Sequence, residues 1–186
     1  MGYFAITTLI LVIIMVLSRV AILRVKGIEA MKFGEMDKKD YIAIPFVLLY
    51  FYIVLTSVID LPALGTVLFK SMVVSWIGIA CCTLGFIIFL FSLIAFGKSF
   101  RVGIDENHPD ELVTSGVFSI SRNPIYTAFL FILIGVFLII PNWILLLYFV
   151  VGFWFINRQV RREEDSLEKI YGNEYKEYCK KVRRYL

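Results

Sequence analysis

Residues 124–156 form a run of 33 positions without a charged side chain, with Pro141-Asn142 near the middle. As one helix the run would be about 50 Å long, well beyond a bilayer core. Pro-Asn inside such a run is a turn signal. The run therefore predicts a helical hairpin, whose second arm continues past Asn157 into polar sequence. A hairpin returns its two ends to the same side. Arg122-Asn123-Pro124 and Arg162-Glu163-Glu164 then become neighbours, whereas a single long span would separate them.

The rest of the chain fits the same solvent. It has 186 residues and is 60% hydrophobic, against some 45–50% in soluble chains. The excess needs lipid around it, which makes this an integral membrane protein of the all-α class. Residues 3–23 and 41–59 fit two further spans, the second ended by Asp60, Pro62 and Gly65. Residues 71–97 are 27 uncharged positions and fit a third, tilted or slightly overlong. On it Ser75, Gly78, Cys82 and Gly85 recur at helical spacing, a small-residue face that permits close approach of another helix. With the hairpin this gives about five transmembrane helices. The first stretch lacks a basic n-region and a small-residue cleavage site, so it is expected to be a retained span. One domain over 1–186 is expected, with three spans in 1–97 and a loop, the hairpin and tail helices in 98–186.

Loop charges orient the spans. Residues 24–40 carry Arg24, Lys26, Lys32, Lys38 and Lys39, and the connector 61–70 carries only Lys70. Residues 98–122 carry Lys98, Arg101 and Arg122, and the tail holds nine Lys and Arg. The excess of basic residues on one side places the N-terminus outside and the hairpin base and C-terminus in the cytoplasm. The net charge of +4 is accounted for by anionic lipid and requires no nucleic acid. Cys81, Cys82 and Cys179 show neither disulfide nor metal-ligand spacing. In the tail, Leu167, Ile170, Tyr171, Tyr175, Tyr178 and Val182 form a stripe expected to pack on the cytoplasmic face, with Gly172 breaking it into two short helices.

The polar passage at the hairpin base is where chemistry is expected. Thr114-Ser115-Gly116 is a turn. Ser121-Arg122-Asn123-Pro124 reads as a helix start, with Asn123 as candidate N-cap and Pro124 at the first helical position. A helix start offers free N–H groups to an anion. Tyr126 brings a flat ring, and Glu163 and Glu164 bring carboxylates from the other arm. Arg122 and Glu163 are expected to close around one pocket, although an interfacial ion pair explains the same residues. His108, the lone histidine, sits before Pro109 and is expected to be structural or solvent-facing.

Leu112-Val113-Thr114-Ser115-Gly116-Val117-Phe118, Arg122-Asn123-Pro124-Ile125-Tyr126, Glu163-Glu164 and Tyr171-Gly172-Asn173-Glu174-Tyr175 together resemble the isoprenylcysteine carboxyl methyltransferase family. The related phospholipid methyltransferases share the resemblance, which runs over roughly residues 95–186. It implies an integral-membrane methyltransferase using S-adenosyl-L-methionine. Leu112, Val113, Phe118, Arg122, Asn123, Pro124, Tyr126 and Glu163 are the implied cofactor-binding positions. Asn123 replaces the family's His, and Phe118 replaces a Tyr. Gln159 stands where the family has an Arg implicated in substrate binding. Gln159, with Arg158 and Arg162 flanking it, is the candidate catalytic set facing the methyl acceptor. The substitution by Gln predicts poor turnover of a prenylcysteine carboxylate.

The chemistry suits these residue types. Glu163 can hold an ammonium, helix N–H groups a carboxylate, and Tyr126 and Phe118 an adenine. An anionic acceptor needs no general base, so alignment and desolvation would carry the rate. A lipophilic acceptor or membrane lipid would enter between helices, past Phe129, Phe131, Trp143, Phe153 and Trp154, which also serve as plain lipid-facing or core residues. No obligate protein partner and no metal are implied. Two alternatives remain: methylation of a phospholipid amino headgroup, and a non-catalytic subunit or transport protein on the same scaffold. The lack of charges within the spans disfavours transport.

Overall fold

A computed structural model describes residues 1–25, 43–96 and 112–186. Among the described residues six α-helices follow one another: α1 Gly2–Val25, α2 Ala43–Leu55, α3 Met72–Phe96, α4 Pro124–Ile139, α5 Trp143–Tyr171 and α6 Asn173–Lys181. A 3-10 turn, Gly116–Ser119, precedes α4. Among the described residues there is no strand, only two isolated bridges, Val67 with Asn142 and Ser121 with Arg183. Lys26, Lys32, Lys38, Lys39, Lys98, Arg101 and His108 lie outside the described residues.

The expected hairpin is present as α4 and α5. Its turn is Ile140-Pro141-Asn142, and Asn142 caps α5 by accepting the Ile144 N–H at 2.8 Å. Proline cannot continue α4 as a hydrogen-bond donor, and asparagine satisfies a free N–H of α5, so two adjacent residues end one helix and start the next. Connector 61–70 lies across this tip. The Asn142 amide donates to the Leu64 carbonyl at 2.7 Å, and Leu68 N–H donates to the Pro141 carbonyl at 2.7 Å. Gly65 permits the crossing: its φ is +79°, and a Cβ there would lie 2.6 Å from the Asn142 Oδ1.

The small-residue face of α3 packs on α4. A Cβ on Gly78 would lie 2.7 Å from the Gly135 carbonyl, and one on Gly85 would lie 2.8 Å from the Ala128 carbonyl. On the facing helix, a Cβ on Gly135 would meet the Cys82 sulfur. The two backbones therefore touch, and larger residues would force them apart. Phe89, Ala128, Ile132 and Val136 continue the seam as buried core.

Three helices, Gly2–Val25, Met72–Phe96 and Trp143–Tyr171, are long and apolar enough to cross a membrane. Only 28%, 28% and 11% of their most apolar windows are buried within the chain. Large side chains such as Trp76, Ile94 and Trp154 remain exposed. Lipid is the solvent that such surfaces need, and the chain is an integral membrane protein. The shorter apolar helices are α2 and the 16-residue α4. Helix α2 ends at Leu55, before the expected 59. There the Thr56 and Ser57 hydroxyls donate to the Ile53 and Val54 carbonyls, a local alternative to continuing the helix.

The tail departs from the expected pair of short helices. Helix α5 runs unbroken for 29 residues, from the hairpin tip to Tyr171. Gly172, at φ +55°, turns the chain into α6, the one separate short helix. Tyr175 and Tyr178 of α6 are buried, so the stripe packs on the protein itself.

Candidate active site

The base of the hairpin holds two adjacent carboxylates with different surroundings. Glu163 and Glu164 are consecutive on α5, so their side chains leave the helix about 100° apart. Half-buried Glu163 accepts the Tyr126 hydroxyl of α4 and the Gln159 amide, the latter at 3.0 Å. Gln159 lies one turn before it, within ordinary i,i+4 reach. Both donors meet Oε1, and among the described residues no donor reaches Oε2. Beside them is an open cleft of about 380 Å³, lined by Tyr126, Phe155, Ile156, Arg158, Gln159 and Arg162. The Arg158 guanidinium lies 5.6 Å from the centre of the Trp154 ring, a cation–π contact that holds its charge near the cleft. Trp154 in turn packs edge-on against Phe155.

Glu164 points into the interior and is buried. Its Oε1 meets Arg122 Nη2 at 3.2 Å and the Asn123 amide at 3.0 Å. Its Oε2 meets Arg184 Nε and Nη2 at 2.8 and 2.7 Å. The expected closure of Arg122 and Glu163 around one pocket is therefore not what forms. Both residues are at the hairpin base, but Arg122 pairs with Glu164. The reason is the 100° step between consecutive residues, which turns one carboxylate to the cleft and the other under the start of α4. Burial of a carboxylate is tolerated because every available lone pair has a cationic or amide partner.

Asn123 occupies the N-cap position of α4 but makes no side-chain cap bond. Its amide is taken by Glu164 and by the Arg184 carbonyl at 3.2 Å. Its own N–H donates to Ser121 Oγ at 3.2 Å. Pro124 is buried at the first helical position. Phe118 is buried too, with its ring edge-on to Phe96 of α3 at 4.6 Å. Its carbonyl accepts the Tyr178 hydroxyl at 2.6 Å. Burial pushes the Tyr178 phenol up to about 12, with nearby Arg122 pulling the other way, so it stays a neutral donor. Leu112 and Val113 are half-buried.

The structure thus gathers Tyr126, Gln159, Arg158 and Arg162 at the cleft, with Glu163 bonded to the first two. It sets Arg122, Asn123 and Phe118 behind it as packed structure. Sequence reasoning missed Arg184, which sits in the basic run Lys180-Lys181-Val182-Arg183-Arg184 and has no pattern of its own. It also missed Phe155 and Ile156, which read as ordinary span residues. One signal was present: a doubled Glu on a helix sends the pair to two different faces.

The family model described as phospholipid methyltransferase matches residues 73–174. A probable protein-S-isoprenylcysteine O-methyltransferase of Oryza sativa subsp. indica is 30% identical over 114 residues, covering 59% of each chain. Protein-S-isoprenylcysteine O-methyltransferase A of Arabidopsis thaliana is 31% identical over 133 residues, covering 69% of this chain and 64% of the relative. The chain thus spans about six tenths of the length of these curated relatives. The solved eukaryotic intramembrane Ras methyltransferase ICMT, isoprenylcysteine carboxyl methyltransferase, superposes with a TM-score of 0.62 at 24% identity, covering 88% of this chain and 58% of that one. That likeness speaks for the fold. The family match covers more than half of the chain, taking in α4 and α5 whole and α3 from its second residue, so the chain belongs to the phospholipid methyltransferase family.

Proposed function

We propose that the chain is an S-adenosylmethionine-dependent methyltransferase acting on a lipophilic acceptor at the membrane–cytosol interface. The observation that carries this reading is the cleft at the hairpin base, where Tyr126 and Gln159 share one oxygen of Glu163. The fixed Glu163 keeps its other oxygen for a cationic amino group. Tyr126, its hydroxyl held, offers a ring face to a purine. These residues fit the cofactor, and Glu163 and Tyr126 would hold it while its sulfonium would supply an electrophilic methyl. The chain's part is to bind, orient and keep water out. The excess of basic residues at this end supports a cytosolic cleft, where a water-soluble cofactor is available.

The relatives' names point to a prenylated cysteine carboxylate as acceptor. The expectation of poor turnover rested on Gln159 alone. Arg158 and Arg162 line the same cleft and can orient a carboxylate in its place. A carboxylate attacks carbon through its own lone pair and releases no proton, so no general base is needed. The exposed aromatic flank of α5, Phe153 to Phe155, suits entry of a lipid chain from the side. A phospholipid amino headgroup is the second reading, supported by the neutral amide of Gln159 and by the family model's description.

The test uses the whole chain in lipid nanodiscs. Calorimetric titration with S-adenosylmethionine comes first. Transfer of a radiolabelled methyl is then measured on a farnesylcysteine analogue and on phosphatidylethanolamine. Binding, with a base-labile methyl ester on the first, supports the reading. Base-stable label on the second selects the headgroup. Absence of binding ends both.

A further inference from the structure

We propose that Arg184 is a positioning residue for the methyl-transfer site, acting through Glu164 to hold the hairpin base at the spacing that lets Tyr126 reach Glu163. This rests on the functional reading above. Residues 182–186, after α6, pass across both arms of the hairpin. Arg184 touches one arm with its main chain and the other with its side chain. Its carbonyl accepts Ser121 Oγ at 3.3 Å and the Asn123 amide at 3.2 Å, both in the lead-in to α4. Its guanidinium makes the two-nitrogen contact with Glu164 Oε2 on α5. Neighbouring residues reinforce the crossing. Arg122 N–H donates to the Arg183 carbonyl at 2.9 Å, and the Tyr185 hydroxyl donates to Asn157 Oδ1 at 3.3 Å.

The bracket lies at the same level as the cleft. Glu164 follows Glu163 directly on α5. Asn123 precedes Tyr126 by three residues, less than one turn. The distance between the arms at the Glu164 cluster therefore sets the distance at the Tyr126–Glu163 contact. Without Arg184, Glu164 Oε2 loses both of its contacts, and the carboxylate is held through Oε1 alone, by Arg122 and Asn123. Two donors of one planar guanidinium converging on one oxygen fix a direction as well as a charge. A tail segment that only covered apolar surface would not join two helices through one residue's carbonyl and guanidinium.

The test compares wild type, Arg184→Ala, Arg184→Lys, Glu164→Gln and the Glu164→Gln/Arg184→Ala double variant, each as the full chain in nanodiscs. The KM for S-adenosylmethionine, the KM for the farnesylcysteine analogue, kcat and the thermal midpoint are read together. Arg184→Ala is expected to raise the cofactor KM about tenfold, a size typical of coupled neighbours, with the acceptor KM held within about twofold. Lysine restores part of the loss, being a point charge without the fork. In the Glu164→Gln background the added Arg184→Ala moves the cofactor KM by less than about twofold, since its route is already cut. An unchanged cofactor KM in Arg184→Ala overturns the proposal, as does a loss of activity that only follows the folded fraction. If the alanine variant does not fold, Arg184→Lys carries the same comparison, and a cofactor KM equal to wild type then overturns it. A wild type that neither binds nor transfers ends the functional reading and this one with it. A wild type that does both, with KM unmoved by either substitution, ends this one alone.

Discussion

The hairpin is tied at both ends, by unlike means. At the tip, Pro141 and Asn142 are held to connector 61–70 by neutral bonds to main-chain carbonyls. At the base, Glu164 is held by two guanidiniums and an amide. The tip sits where two apolar helices turn. Main-chain bonding is the economical answer in such surroundings. The base adjoins a cleft lined by Arg158 and Arg162, and charged groups there fix direction as well as distance. A closure can thus be made by backbone where only shape matters, and by ionised side chains where a site must be aimed.

The largest expected effect breaks the charged end. Glu164→Ala leaves Arg122 and Arg184 facing each other without an anion and is expected to lower stability by about 3 kcal/mol or more. Thermal unfolding in nanodiscs reads this, and a midpoint equal to wild type would mean that the cluster holds nothing together. Glu163→Gln sharpens the contrast between the adjacent carboxylates. Cofactor affinity should drop by about 1.5–3 kcal/mol, the worth of a charge-assisted bond, while the midpoint stays near wild type. Equal affinity by calorimetry in the folded variant removes Glu163 from the site. At the neutral end, Asn142→Ala loses a helix cap and its bond to Leu64, and about 1–2 kcal/mol of stability is expected to go. Cofactor affinity should not move, and a shift there would show that the tip also aims the site. Tyr178→Phe is the smallest, about 1 kcal/mol for one buried hydrogen bond to Phe118, read in the same unfolding assay.

The hairpin was legible because a proline and an asparagine interrupt an uncharged run, and few other structures fit that pattern. The α3 face was legible for a similar reason: Gly78, Cys82 and Gly85 repeat at helical spacing, and they do meet α4. The pairing at the base was not. Glu163 and Glu164 are chemically identical neighbours, and only the rotation of α5 decides which one takes Arg122. Arg184 was hidden in a basic tail that the rule for cytoplasmic charge already explained. The tip crossing was hidden for another reason: main-chain carbonyls at Leu64 and Pro141 carry no side-chain signature. Asn123 shows a position read correctly with its bonding read wrongly, because its Nδ2 donates to Glu164 and to the Arg184 carbonyl while its side chain makes no cap bond.

The glycine contacts between α3 and α4 have a mechanical meaning. With their backbones touching, these two helices act as a fixed wall, and α5 is the arm mounted on it at Asn142. From Trp143 to Glu163 that arm is about 30 Å long. A tilt of about 2° at the pivot therefore displaces Glu163 by about 1 Å, an error large enough to slow a positioned reaction about a hundredfold. No stiffness at the tip could suppress so small an angle. A long lever has to be secured at its free end, and that is where Glu164 stands.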